Sequence, residues 1–229
     1  MPERCGHVWS TTTATAALAE GRSESGVGRW EEQYLGPYHL GEWLDLRGGP
    51  PPLSVGPDLA ATLESVARRP PELDDLTTSR RALALIGGFP ELIDRLRGED
   101  LEQELLESQR VLRADAVERA VYKDIPQSFG VDNPLLLERL LYVLAGQVAG
   151  VLSPTRICRQ LGFGQPTFDR YVSYLERAFL IFTLTNYSGQ EARRQRRGRK
   201  LCFVDSAVRN AALQRGLAPL RDRVEMGHL

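Results

Sequence analysis

At 229 residues, with 42% apolar and 26% charged residues and a net charge of −1, the chain has the composition of a globular protein of one large or two small domains. No apolar run reaches the roughly 20 residues of a membrane-spanning helix, and the start Met1-Pro2-Glu3-Arg4 has no secretory pattern, which points to the cytoplasm. The near-zero charge hides an asymmetry: residues 151–229 carry 14 Lys and Arg against 6 Asp and Glu, while residues 1–150 carry 15 against 24. A basic C-terminal third on an acidic remainder suggests a polyanion partner or docking between the halves.

In chain order, Val8-Trp9-Ser10 reads as a strand end, Thr11–Ala19 as a helix, Gly21–Arg29 as a polar loop and Leu40–Leu46 as one or two helical turns. Gly48-Gly49-Pro50-Pro51-Pro52 with Gly56-Pro57 can continue neither helix nor central strand, so residues 47–58 are expected to be a linker. From Leu59 to Tyr142 the pattern is mostly helical. Pro90 opens one helix with Glu91 in its first turn. Glu99–Ile125 reads as a long amphipathic helix with Leu101, Leu105, Leu106, Leu112, Val117 and Val121 on its apolar face, stopped by Pro126. Asn133-Pro134 then starts a helix with a stripe of Leu136, Leu137, Leu140, Leu141 and Leu144.

Ser153-Pro154 opens a short helix, with the serine oxygen placed to cap it, and Gly162-Phe163-Gly164 closes it. A second helix starts at Gln165-Pro166 and carries Phe168, Tyr171, Val172, Leu175 and Phe179 on one face. Leu180–Tyr187 turns β-like and Leu201–Val204 is its natural return. The whole reads as a winged helix-turn-helix, with Ser188–Lys200 at the wing tip. Arg193, Arg194, Arg196, Arg197, Arg199 and Lys200 crowd that tip. Thr167, Arg170, Ser173, Tyr174 and Arg177 fall off the apolar face of the second helix and could reach a groove. The alternative is a packing module whose arginine-rich loop faces a protein partner or a second copy.

Catalytic signatures are missing from the sequence. It has no G-x-x-x-x-G-K-[ST] phosphate loop and no G-x-S-x-G elbow. His7, His39 and His228 are too scattered for zinc, and Cys5, Cys158 and Cys202 form no C-x-x-C pair. No metal site is expected, and Cys158 and Cys202 are expected in the core.

Five motifs in order resemble a prokaryotic family of AAA-type P-loop ATPases whose C-terminal region, domain of unknown function 4143, joins a winged helix to a nuclease-like part. They are Val8-Trp9-Ser10-Thr11; Gly28-Arg29 with Leu35-Gly36-Pro37 and Glu42; Gly87-Gly88-Phe89-Pro90-Glu91; Tyr122-Lys123-Asp124-Ile125; and Phe203-x-Asp205-Ser206-Ala207. The match covers an internal portion lacking the Walker A and Walker B motifs. It implies an ATPase remnant over 1–46, the linker over 47–58, a helical region over 59–150, the winged helix over 151–205, and the start of a nuclease-like part over 206–229. Full-length members would use ATP and Mg; this chain is expected to hold no cofactor and not to act as an enzyme. By the resemblance, Arg29 would reach a neighbour's nucleotide, and Gly87, Gly88 and Pro90 would lie beside one. The expected fold class is mainly α with short β elements. The expected function is that of a truncated relative keeping a winged helix for nucleic acid or protein docking. The alternatives are an independent winged-helix DNA-binding regulator and an ATP-binding protein.

Overall fold

The computed structural model describes residues 36–46, 60, 73–96, 100–148, 150–184, 199–222, 224 and 227. The expected strand at Val8, the helix from Thr11, Arg29, the 47–58 linker and Arg193–Arg197 lie outside these residues. Among them the protein is mostly helical, with one two-stranded antiparallel sheet, so the fold class is mainly α with short β elements. No described helix is long and apolar enough to cross a membrane.

Four helices build the first half: α1 (Leu40–Leu46), α2 (Leu73–Ile86), α3 (Pro90–Arg95) and α4 (Leu101–Leu112). They share a core of Trp43, Leu85, Ile86, Ile93 and Leu105, closed by Leu217 from the far end of the chain. Asp100 caps α4 by accepting the Gln103 N–H at 3.2 Å. Leu105, Leu112, Val117 and Val121 are buried as expected, whereas Leu101 and Leu106 are exposed. Leu106 points about 110° from the centre of the buried stripe, whereas Leu101 shares the buried side but is the first residue of α4, a full turn before Leu105.

The chain does not stop at Pro126. After α4 it widens into π-helical turns over Arg113–Glu118 and Ala120–Asp124, then runs on as α5 (Ile125–Phe129) to Gly130, whose φ is 62°. A proline inside an α-helix presses on the carbonyl four residues back and gives no N–H. The wider register, in which the Ile125 N–H bonds Ala120 O, lets the backbone absorb that demand and stay helical.

Next come α6 (Pro134–Ala145), α7 (Pro154–Leu161), α8 (Gln165–Arg177), β1 (Ile181–Leu184) and β2 (Lys200–Phe203). Asn133 caps α6 as expected, its Oδ1 accepting the Leu136 N–H at 3.1 Å. Leu137, Leu140, Leu141 and Leu144 are fully buried and join Ile157, Leu175, Ile181 and Leu201 in the largest core. Burying each such side chain contributes about 1.5–3 kcal/mol. Ser153 precedes α7 but its side chain makes no capping bond, so Pro154 alone marks that start.

Helix α9 (Ser206–Leu213), followed by the short α10 (Ala218–Arg221), ties the halves together. Its small residues Ala207 and Ala211 meet Leu92 and Leu112 in a third core, which allows close approach to α2, α4 and α6. Gln109 of α4 donates to Leu85 O and accepts from the buried Asn210 amide at 2.7 Å, so a polar bridge crosses the same joint.

Candidate nucleic-acid interface

The glycine turn between α7 and α8 works by conformation: Gly162 has φ 76°, which a β-carbon would strain, and its N–H closes α7 on Cys158 O at 2.9 Å. Helix α8 then buries Phe168, Tyr171, Val172 and Leu175 against the main core. Phe179 does not extend that face. The helix ends at Arg177, and Phe179 is exposed in the left-handed region at φ 54°. At 3.6 residues per turn, Arg170, Ser173 and Arg177 point roughly 150–170° from the centre of the buried stripe. All three are exposed, while Thr167 and Tyr174 are half-buried on the flank.

Tyr174 is not free to read a groove. Its ring stacks on Phe129 of α5 with centroids 4.3 Å apart and planes within 7°. The Arg177 guanidinium lies over the same Phe129 ring at 4.7 Å.

The sheet extends the module. Ile181 pairs with Phe203, Phe182 with Cys202, Thr183 with Leu201 and Leu184 with Lys200; Val151 adds an isolated antiparallel bridge to Lys200. Lys200 therefore opens β2 rather than sitting in the wing tip. Ile181, Leu201 and Phe203 point into the core. The opposite face carries exposed Val151 (61%), Phe182 (41%) and Leu184 (50%). Cys158 and Cys202 are half-buried rather than fully enclosed, and burial pushes the Cys158 thiol up, away from the reactive thiolate.

Charge is distributed unevenly here. Residues 150–184 and 199–204 hold six cations and two carboxylates. Both carboxylates are engaged: Asp169 accepts from Gln165 Nε2 at 3.2 Å, and Glu176 accepts from the Thr183 N–H at 3.0 Å and its hydroxyl at 2.8 Å. The side chains of Arg156, Arg159, Arg170, Arg199 and Lys200 have no ion-pair partner among the described residues, and all are exposed.

The Gly-Gly-Phe-Pro motif lies elsewhere, in a tight knot. Gly87 has φ 73°, and a β-carbon there would stand 2.6 Å from the Asp205 carboxylate; one on Gly88 would stand 2.2 Å from the Tyr38 backbone. Asp205 accepts the N–H groups of Gly88 and Ala207, each at 2.8 Å, and Ser206 Oγ donates to Ala84 O. Tyr38 N–H bonds Gly88 O at 2.7 Å. Pro90 opens α3 behind this loop. Three of the spaced motifs, around Pro37, Gly87 and Asp205, thus meet at one point. Burial raises the Asp205 carboxyl above its ordinary range, against the lowering effect of its two N–H donors.

A third cluster surrounds Arg113. Its guanidinium donates to Ala212 O at 3.0 Å and Tyr142 Oη at 2.8 Å, and pairs with Glu118 at 2.8 Å. Tyr122 donates to Glu138 at 2.7 Å, and this bond, with burial second, pushes the Tyr122 hydroxyl up to about 12. Tyr142 also donates to Glu138. The Arg113 contacts satisfy carbonyls at the end of α9, so this group serves architecture. Among the described residues no cluster of His, Cys, Asp and Glu is placed to hold a metal ion.

These features define a mainly helical protein in which a helix, glycine turn, helix and hairpin present a basic surface. The chain belongs to the family described as Domain of unknown function (DUF8612), which matches residues 77–218, from within α2 to the start of α10. No curated protein and no solved structure matches the chain.

Proposed function

We propose that residues 151–205 form a winged helix-turn-helix that binds duplex nucleic acid, with α8 facing a groove and the β1–β2 hairpin lying along the backbone. The observation that carries this reading is the imbalance of partners: five exposed cations, Arg156, Arg159, Arg170, Arg199 and Lys200, have no acid partner among the described residues, while both nearby carboxylates there are bonded elsewhere. The connectivity supports it too. Helix α6, the Val151 bridge, α7, α8, β1 and β2 follow the order of a winged helix, and the six basic residues from Arg193 to Lys200 fall between or at the strands. Each phosphate contact would release counterions and make affinity fall with salt.

On this reading the protein acts in the cytoplasm as a relative of AAA-type ATPases without ATP hydrolysis of its own. The test is duplex binding by fluorescence anisotropy at low salt. Arg193, Arg194, Arg196 and Arg197 changed together to Ala should weaken binding; binding that ignores this change removes the wing from the contact.

A second reading is protein docking. The exposed apolar face of the sheet, Val151, Phe182 and Leu184, favours it. Changing Phe182 and Leu184 to Ser would then abolish association with a partner and leave duplex binding intact.

A further inference from the structure

We propose that Arg177, stacked on Phe129, is a preorganised clamp for one backbone phosphodiester of the bound duplex; this rests on the nucleic-acid reading above. Phe129 arrives from the end of α5, where Gly130 in the left-handed region closes the helix on Pro126 O at 3.0 Å and fixes where the ring stands. Tyr174 and Arg177, one turn apart on α8, both engage that ring, at 4.3 Å and 4.7 Å. A guanidinium seated over an aromatic face is held there by its charge, and the contact uses no carboxylate or carbonyl acceptor. Its N–H groups radiate in the guanidinium plane and stay available to an anion.

The geometry around Arg177 favours an outside acceptor. It has no carboxylate partner among the described residues: Glu176, its neighbour in sequence, points to another side of the helix and is bonded to Thr183. Arg177 also lies near the centre of the outward face of α8, next to Ser173 and one turn beyond, and two turns from Arg170. A long flexible side chain ordinarily gives up rotamer freedom when it binds. Here the stack has already removed much of it, so the clamp meets the phosphate with less to lose. A planar, bidentate donor fits two phosphate oxygens where an ammonium offers only a point charge.

Anisotropy titrations of the full chain with a labelled duplex, over a range of chloride concentrations, test this. Arg177→Ala should weaken binding and make the slope of log K against log salt shallower by about 0.9, one phosphate contact. Arg177→Lys should keep the slope but lose about fivefold in affinity, because an ammonium replaces the planar bidentate donor by a point charge and stacks less well on the ring. Phe129→Ala should match the lysine change, leave the slope unaltered, and add nothing once Arg177 is already Ala.

Melting curves identify any variant that fails to fold. The Arg177 changes are on the surface and keep the test decisive even if Phe129→Ala does not fold. Wild-type slope and affinity in Arg177→Ala, or fully additive Phe129 and Arg177 effects, overturn the clamp while leaving duplex binding in place. Absence of binding by the unaltered protein overturns both. Inorganic phosphate replacing chloride at matched ionic strength provides a separate arm: selective displacement of the duplex would make this a free-anion site and contradict the proposal.

Discussion

Arg113 and the arginines of α7–β2 are the same side chain in opposite situations. Arg113 is partly buried and surrounded by acceptors: two carbonyls at the end of α9, Tyr142 and two glutamates. Arg156, Arg159, Arg170 and Arg199 are exposed, with no acid partner among the described residues. A guanidinium with its donors satisfied holds a structure together, and removing it leaves its partners uncompensated. One with its donors unspent contributes little to folding and is available to something outside. On the proposed function the difference would separate architecture from interface within one chain, and it can be broken by mutation.

The largest expected effect is at the saturated site. Arg113→Ala should cost about 3 kcal/mol in urea unfolding, because it leaves the α9 carbonyls without their donor and removes the cation beside Glu118 and Glu138. Gly87→Ala comes next, at about 2 kcal/mol, since it combines a left-handed backbone with a β-carbon pressed on Asp205. By contrast Arg170→Ala and Lys200→Ala should each move stability by under about 0.5 kcal/mol. Their effect should appear in duplex affinity instead. If Arg170→Ala unfolds the protein as strongly as Arg113→Ala, the division between the two kinds of arginine is wrong.

A smaller effect concerns pH. An acid whose native pKa lies above its unfolded value keeps its proton longer in the fold, so its stabilising contribution is complete below the unfolded value and is lost as pH rises through the native one. Asp205 is raised from 3.8 by burial. Wild type should therefore lose stability relative to Asp205→Asn as pH climbs from about 3.8. Urea melts at a series of pH values measure this, and a gap that stays constant with pH would show that Asp205 is not so shifted.

Much of the basic module was legible in the sequence. Phe168, Tyr171, Val172 and Leu175 have the 3.6-residue period of a one-sided helix, and glycine between two short helices predicts their turn. The same period misplaced Phe179, because the helix ended first and the chain turned into a left-handed residue. Pro126 misled for a related reason: local propensity marks a stop there, but the π-helical turns before it accommodate the ring. Phe129 was invisible as a functional candidate. Its meeting with Tyr174 and Arg177 links residues about 45 apart, and no local pattern encodes that contact. The Asp205 knot was half-legible, since its three motifs stood out singly while their convergence depended on α9 packing.

The most direct test of the interface is the salt dependence of duplex binding by the unaltered protein. We expect log K to fall linearly with log salt, with a slope near −0.9 for each phosphate engaged, and to flatten when Arg170, Arg177, Arg199 and Lys200 become Ala together. No binding at low salt, or a slope that this fourfold change leaves untouched, would contradict the assignment of these residues to a nucleic-acid surface.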